Sequence, residues 1–149
     1  MCMTVFIAAT EPLPFVPWNA SAPAFHLQAL SDAEGGVRVR FTKPHIYFLG
    51  AHTGCSCGFN YGLREIKHQE DRAEEDASRA SVAALRAYLE DAVARQGEVE
   101  VFASWEGDWS LEPEQQLQVT PDWFGGESFA MPERVFFRVV AAVEGGRSV

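Results

Sequence analysis

The stretch ASRASVAALRAYLEDAVARQ, residues 77–96, decides the fold. Its apolar residues recur every three or four positions, which is the period of an amphipathic helix with one buried face. Acidic residues precede the stretch, Arg95 falls near its end and Gly97 follows it, as the helix dipole and helix C-terminal caps favour. We therefore predict one long helix over about residues 77–96, with a buried stripe of Val82, Leu85, Leu89, Ala92 and Gln96.

Short apolar or alternating runs on both sides of this helix predict β-strands. MTVFIAAT, near the start, and IYFL, at 46–49, are apolar on both faces, as in buried strands. EVEVFASW and RVFFRVVAAV predict strands after the helix, and a further short strand is expected at 117–119. AFHLQAL and GVRVRF alternate around the turn SDAEGG, which predicts an antiparallel hairpin.

These elements predict a single α+β domain. The strands are segregated around one helix and do not alternate with several helices, which favours α+β over α/β. We expect an antiparallel sheet of about five to six strands packed by one long helix. The chain has 149 residues, of which 47% are hydrophobic, and it contains no linker, so we expect one globular domain over 1–149.

Charge and hydropathy restrict the partners and the compartment. The formal net charge of −9 argues against nucleic acid, which requires lysine and arginine, and against anionic membrane surfaces. The start of the chain lacks the basic segment of a secretory signal, and no apolar run approaches the roughly 18 residues of a transmembrane helix. We therefore expect a cytoplasmic protein, in which three cysteines do not form a disulfide framework.

The segment HTGCSCGF, residues 52–59, is the place where chemistry is expected. It contains two of the three cysteines and a histidine within one glycine-rich turn. Zinc takes four ligands from thiolates and imidazoles, and His52, Cys55 and Cys57 are spaced so that one turn can present all three. The sequence therefore favours a metal site in this turn, with zinc as the expected ion.

A fourth ligand is expected from Cys2 or His45. Cys2 begins the first predicted strand, and His45 begins the strand that leads into the turn. Either residue can complete the site if these two strands are neighbours. A thiolate-rich site favours zinc, copper(I) or iron. The sequence offers no further catalytic residue, so it leaves open whether the protein is an enzyme.

Three other interpretations of the sequence remain open. Cys55 and Cys57 can form a strained, labile disulfide, with His52 or Lys43 lowering a thiol pKa, as in thiol-redox proteins. The cysteines can instead be small buried hydrophobes in a sharp turn. A metal-free interaction module, binding a second copy or another protein, would use exposed aromatic anchors. The candidate anchors are Trp18, Trp105, Trp109 and Trp123.

Several segments together resemble a family of uncharacterised small bacterial proteins. They are CMTVFIAATEPLP at the start, PHIYFLGAHTGCSCGF at 44–59 and SWEGDW at 104–109. The family pairs a strand of pattern PHxYxLG with a GCxCGF turn. The resemblance implies that His45, His52, Cys55 and Cys57 belong to one structural unit, and it implies a bacterial, intracellular origin. It implies no activity and no catalytic residue.

Overall fold

Six strands form one sheet in the computed structural model, which describes residues 2–142. Their order across the sheet is β2-β3-β1-β4-β6-β5, and a single long helix, α1, packs on one face. The α+β prediction is confirmed. The sheet is mixed and not purely antiparallel, because β5 runs parallel to β6 while all other neighbours are antiparallel. The elements are β1 (Met3–Ala9), β2 (His26–Ala29), β3 (His45–Gly50), α1 (Gln69–Gln96), β4 (Glu98–Trp105), β5 (Gln115–Val119) and β6 (Val135–Val140).

The central strand, β1, is buried along its whole length because both faces of the sheet are covered. On one face, Val5 and Ile7 belong to the same core cluster as the α1 residues Leu85 and Leu89. On the other face, the side chain of Phe6 packs in a smaller, aromatic-rich cluster. This double burial explains why the β1 sequence is continuously apolar and does not alternate.

The helix begins at Gln69, eight residues before the predicted start at 77. The added residues are charged and mostly exposed, so they carry no apolar stripe from which a helix could be recognised. A carboxylate stabilises this end, since Asp71 accepts hydrogen bonds from the backbone N–H groups of Lys67 and His68 at 3.1 and 3.0 Å. The C-terminal end at Gln96 agrees with the prediction.

The predicted hairpin around SDAEGG is wrong. Residues Asp32–Arg40 form a 3₁₀ helix, and β2 pairs with β3, where Leu27 lies opposite Leu49. Val37 is buried in the aromatic-rich cluster, whereas Val39 is 66% exposed. The reason lies in the sheet face opposite α1, whose phenylalanines require a cover that a two-stranded extension of the sheet would not supply.

His26 lies on β2 and is buried, with 2% of its surface exposed. Its ring contacts Trp18 edge-on, with ring centroids 4.7 Å apart, and its Nδ1 lies 3.2 Å from the carbonyl oxygen of Ala24. The proline-rich segment after β1 therefore folds over β2 and removes this histidine from water.

Candidate metal centre

Ser56 fixes the turn after β3 to the edge of β1. Its hydroxyl accepts a hydrogen bond from the N–H of Val5 at 2.9 Å and donates one to the carbonyl of Leu49 at 2.6 Å. Val5 and Leu49 are partners in the sheet, so the hydroxyl bridges two neighbouring strands. Ser56 is completely buried. The residue between the two cysteines of the turn therefore sets their position relative to the sheet.

Cys57 forms a further hydrogen bond between the turn and the backbone of β1. Its Sγ accepts the N–H of Met3 at 3.3 Å. Because Met3 follows Cys2, this contact brings the third cysteine of the chain to the turn. The Sγ atoms of Cys2, Cys55 and Cys57 all lie within 4.8 Å of one another, and all three residues are partly exposed. We refer to these three residues as the thiol cluster.

Two glycines of the turn are required by its shape. Gly54 has a φ of +88°, in the region that other residues rarely adopt. Gly58 lies so close to its neighbours that a Cβ there would come within 2.8 Å of Cε1 of His52 and 2.9 Å of Cβ of Ala51. The pattern GCSCG therefore reflects a tight turn that brings the cysteines back to the start of β1.

The thiol cluster distributes its protons unequally. The hydrogen bond to Cys55 and the negative charges of Cys55 and Cys57 raise the pKa of Cys2 to about 11. Burial opposes ionisation of Cys55. This effect is outweighed by hydrogen bonds from the N–H of Cys57, from the hydroxyl of Thr53 and from the thiols of Cys57 and Cys2, which together lower the pKa of Cys55. Cys55 is therefore the preferred thiolate, and Cys2 retains its proton.

His52 is not part of the thiol cluster, although its spacing predicted a ligand. Its Nε2 lies 2.7 Å from a carboxylate oxygen of Glu74, and its Nδ1 lies 3.1 Å from the hydroxyl of Ser81. Both partners are on α1. The imidazole in this structure joins the turn to the helix, and it is not among the atoms that converge with the three sulfurs.

His45 lies at the opposite end of β1 from the thiol cluster. It is paired with Ala9, whereas Cys2 precedes the first residue of the strand. Seven residues of extended chain separate these two ends, a distance of about 23 Å. β1 and β3 are neighbours in the sheet, which is the condition on which a ligand from Cys2 or His45 depended. Of the two alternatives for an additional ligand, Cys2 lies at the turn and His45 lies at the far end of the strand pair.

Ser81, His52 and Glu74 form a chain of contacts that sequence reasoning missed. Their order is that of a serine–histidine–acid triad. The hydroxyl of Ser81, however, belongs to a residue that is only 2% exposed, and it also accepts a hydrogen bond from the backbone N–H of His52 at 3.1 Å. A substrate does not reach this oxygen. The three residues position the turn on α1.

A cleft of about 320 Å³ opens between the segment after the turn and the first half of α1. Cys57 and Thr53 line it, so one sulfur of the thiol cluster borders this space. The helix contributes residues 71, 74, 75 and 78, whose spacing of three and four positions was a signal for the early helix start. The charged side chains in the lining are Arg64, Glu65, Asp71, Glu74 and Glu75, which makes the cleft acidic.

Two of the four tryptophans proposed as anchors are exposed. Trp18 and Trp123 expose 41% and 39% of their surface. Trp105 packs against the main core, and Trp109 packs against the aromatic-rich cluster and donates its indole N–H to Thr4 Oγ1 at 2.8 Å. Trp105 and Trp109 are therefore half-buried and pack against the core clusters.

Within residues 2–142, no helix combines the length and the apolar character needed to cross a bilayer. No protein-family model, curated protein or solved structure matches the chain.

Proposed function

We propose that this protein binds one thiophilic metal ion, zinc in the first place, through Cys2, Cys55 and Cys57. The observation that supports the proposal is the convergence of three Sγ atoms to within 4.8 Å of one another. Tetrahedral zinc with Zn–S bonds of about 2.3 Å requires sulfurs about 3.8 Å apart. Side-chain rotations that move each sulfur by about 1 Å or less bring the three sulfurs to that separation.

The surroundings of the sulfurs favour the thiolates that a metal requires. The backbone N–H of Met3 donates to Cys57, and the hydroxyl of Thr53 lies 3.7 Å from Cys55 Sγ. Such outer contacts orient ligands and disperse their charge. Cys2 must exchange its proton for the metal, so we expect the affinity to rise with pH as this proton becomes easier to remove. A reducing compartment such as the cytoplasm keeps all three thiols available.

Three protein ligands leave one coordination position for water or for a bound molecule. Zinc sites with three protein ligands and one open position are typical of catalysis, whereas structural sites have four. The acidic cleft that Cys57 borders raises the local concentration of cations near the thiol cluster. A set of three thiolates also suits copper(I), which tolerates fewer ligands and prefers soft donors.

A competition titration tests the proposal. The reduced protein, purified without chelator, is titrated with zinc and with copper(I) against a chromophoric chelator. We expect about one equivalent of one ion to bind. Mutation of a residue that only supports a ligand lowers metal affinity by roughly 10–100-fold, so Cys55→Ser, which removes a ligand, should lower it by more. His45→Ala is the matched control and should leave the affinity unchanged.

Two results contradict the proposal. The first is a protein that competes for neither ion while all three thiols remain titratable. The second is an affinity that survives Cys55→Ser, which would assign the bound ion to other residues.

A further inference from the structure

The residue across the sheet from Cys2 is Glu106. The pairing of β1 with β4 ends with Met3 opposite Trp105, and the backbone N–H of Glu106 donates a hydrogen bond to the carbonyl of Cys2 at 2.8 Å. This contact continues the antiparallel ladder by one step, so Cys2 and Glu106 lie directly opposite each other. Side chains of opposite residues project from the same face of a sheet, with Cβ atoms about 4.5–5.5 Å apart. The Glu106 side chain therefore starts beside the thiol cluster.

A tight turn holds the backbone of Glu106 in this place. The N–H of Asp108 donates to the carbonyl of Trp105 at 3.0 Å, and Gly107, with a φ of +93°, supplies the left-handed residue that such a turn requires. The side chain of Glu106 is exposed. Among residues 2–142, no lysine, arginine or histidine forms an ion pair with its carboxylate. Glu106 thus combines a fixed backbone with a carboxylate that is available to a cation.

We propose that Glu106 is the fourth ligand of the zinc ion bound by the thiol cluster, and that it makes the site selective for zinc over copper(I). This inference rests on the proposed metal-binding function. It names the residue that fills the coordination position left by the three cysteines.

The lengths of the side chains permit this coordination. A glutamate oxygen extends about 3.5 Å from its Cβ. With a Zn–O bond of about 2.0–2.2 Å, Glu106 reaches an ion up to about 5.6 Å from its Cβ. An ion about 2.3 Å from the sulfur of Cys2 is about 3.3 Å from the Cβ of that residue. The two reaches overlap across a Cβ separation of about 4.5–5.5 Å.

The Glu106 side chain must turn toward the sulfurs when the ion binds. Its carboxylate is not among the atoms that converge with the three sulfurs in the structure. Exposed side chains change rotamer rapidly, and no ion pair within residues 2–142 has to be broken. The backbone, which the turn and the contact with Cys2 already fix, does not need to move.

The other candidate donors are engaged or poorly placed. His52 and Glu74 contact each other, with 2.7 Å between the imidazole Nε2 and a carboxylate oxygen. His45 is paired with Ala9 at the far end of β1. Asp108 lies beyond the last pair of the β1–β4 register. The sheet therefore selects Glu106 as the acidic residue opposite the thiol cluster.

Zinc and copper(I) differ in their need for this carboxylate. Zinc is almost always four-coordinate in closed protein sites and accepts carboxylate oxygens. Copper(I) is a soft ion that prefers thiolates, so three cysteines satisfy it without an oxygen ligand. Loss of Glu106 should therefore weaken zinc binding and spare copper(I) binding. A carboxylate gives zinc one oxygen neighbour, as water would, so the sulfur count of the site does not change.

Parallel titrations of the reduced protein with zinc and with copper(I), each against a competing chelator, test this inference. Glu106→Gln keeps the shape of the side chain and removes its charge. We expect it to lower the zinc affinity at least about tenfold and the copper(I) affinity by less than about twofold. Asp108→Asn is the matched control, because it removes the same charge from the same turn, and it should leave both affinities unchanged.

The outcomes separate this inference from the metal-binding function. An unchanged zinc affinity in Glu106→Gln would overturn the inference and leave the three-cysteine site in place. Equal losses for zinc and copper(I), or an equal loss of zinc affinity in Asp108→Asn, would overturn it by showing that the carboxylate acts only through its charge. A wild-type protein that binds neither ion would contradict the metal-binding function itself, and this inference with it.

Discussion

Replacing Ser56 with alanine should destabilise the protein by an amount that can be worked out from two contacts. The change removes the acceptor of the Val5 N–H, at 2.9 Å, and the donor to the Leu49 carbonyl, at 2.6 Å. Both groups are in completely buried residues, so water does not replace the hydroxyl. Leaving a buried polar group unpaired costs about 1–3 kcal/mol, so the two groups predict a total loss of about 2–6 kcal/mol.

Thermal and urea unfolding of Ser56→Ala measure this loss. For a domain of this size, a change of 1 kcal/mol shifts Tm by about 2–4 °C, so we expect a decrease of about 4–24 °C. Ser110→Ala, which removes a hydroxyl from an exposed residue, is the control and should change stability by less than about 0.5 kcal/mol. A loss below about 1 kcal/mol in Ser56→Ala would refute the argument that this hydroxyl joins the turn to the sheet.

Two further predictions follow from packing and from charge. Gly50→Ala should lower the free energy of unfolding by about 1–3 kcal/mol, because the new Cβ would lie 2.2 Å from the buried ring of His26. Gly36→Ala is the control and should be nearly neutral, because there is open space around Gly36. Alkylation by iodoacetamide across pH should label Cys55 at a lower pH than an ordinary thiol and Cys2 with a midpoint near 11, since only the thiolate reacts. Equal midpoints for the two cysteines would contradict this unequal distribution of protons.

The helix shows what a sequence pattern does and does not reveal. Its end at Gln96 was predictable because the apolar stripe runs to Val93 in the core and Gly97 follows as the C-terminal cap. Its start at Gln69 was not, since residues 69–76 face the acidic cleft and solvent and carry no apolar period. Where helical residues cover no core, the spacing of the polar residues is the only sequence signal for the helix, and this signal is weak.

The alternating pattern of GVRVRF gave a wrong strand prediction, because this segment covers the face of the sheet opposite α1. Val37 and Val39 alternate with arginines as strand residues do, yet the segment is a 3₁₀ helix that buries the first and exposes the second. A pattern of five or six residues does not distinguish the two structures. The distinction depends on Phe6, Phe48 and Phe102, which come from three other strands and are brought together only by the complete sheet.

The site was predictable in its cysteines and not in its histidines. Proximity of Cys2 to the turn depended on pairing of the first strand with the strand before the turn, and the two strands are paired in the structure. His52 was expected to bind metal, but its two ring nitrogens contact Glu74 and Ser81 on the helix. An imidazole serves equally well as a ligand or as a structural link, and its role depends on tertiary position. The family resemblance and the partner predictions remain predictions.

X-ray absorption spectroscopy at the zinc edge of the metal-loaded protein counts the sulfur atoms around the ion and therefore tests whether all three cysteines bind it. We predict three sulfurs at about 2.3 Å and a single nitrogen or oxygen, as Cys2, Cys55 and Cys57 with one open position require. In Cys2→Ser the sulfur count should fall to two. A wild-type spectrum with two sulfurs and two imidazole nitrogens would contradict the account, since it would replace Cys2 by histidine ligands that the structure places elsewhere.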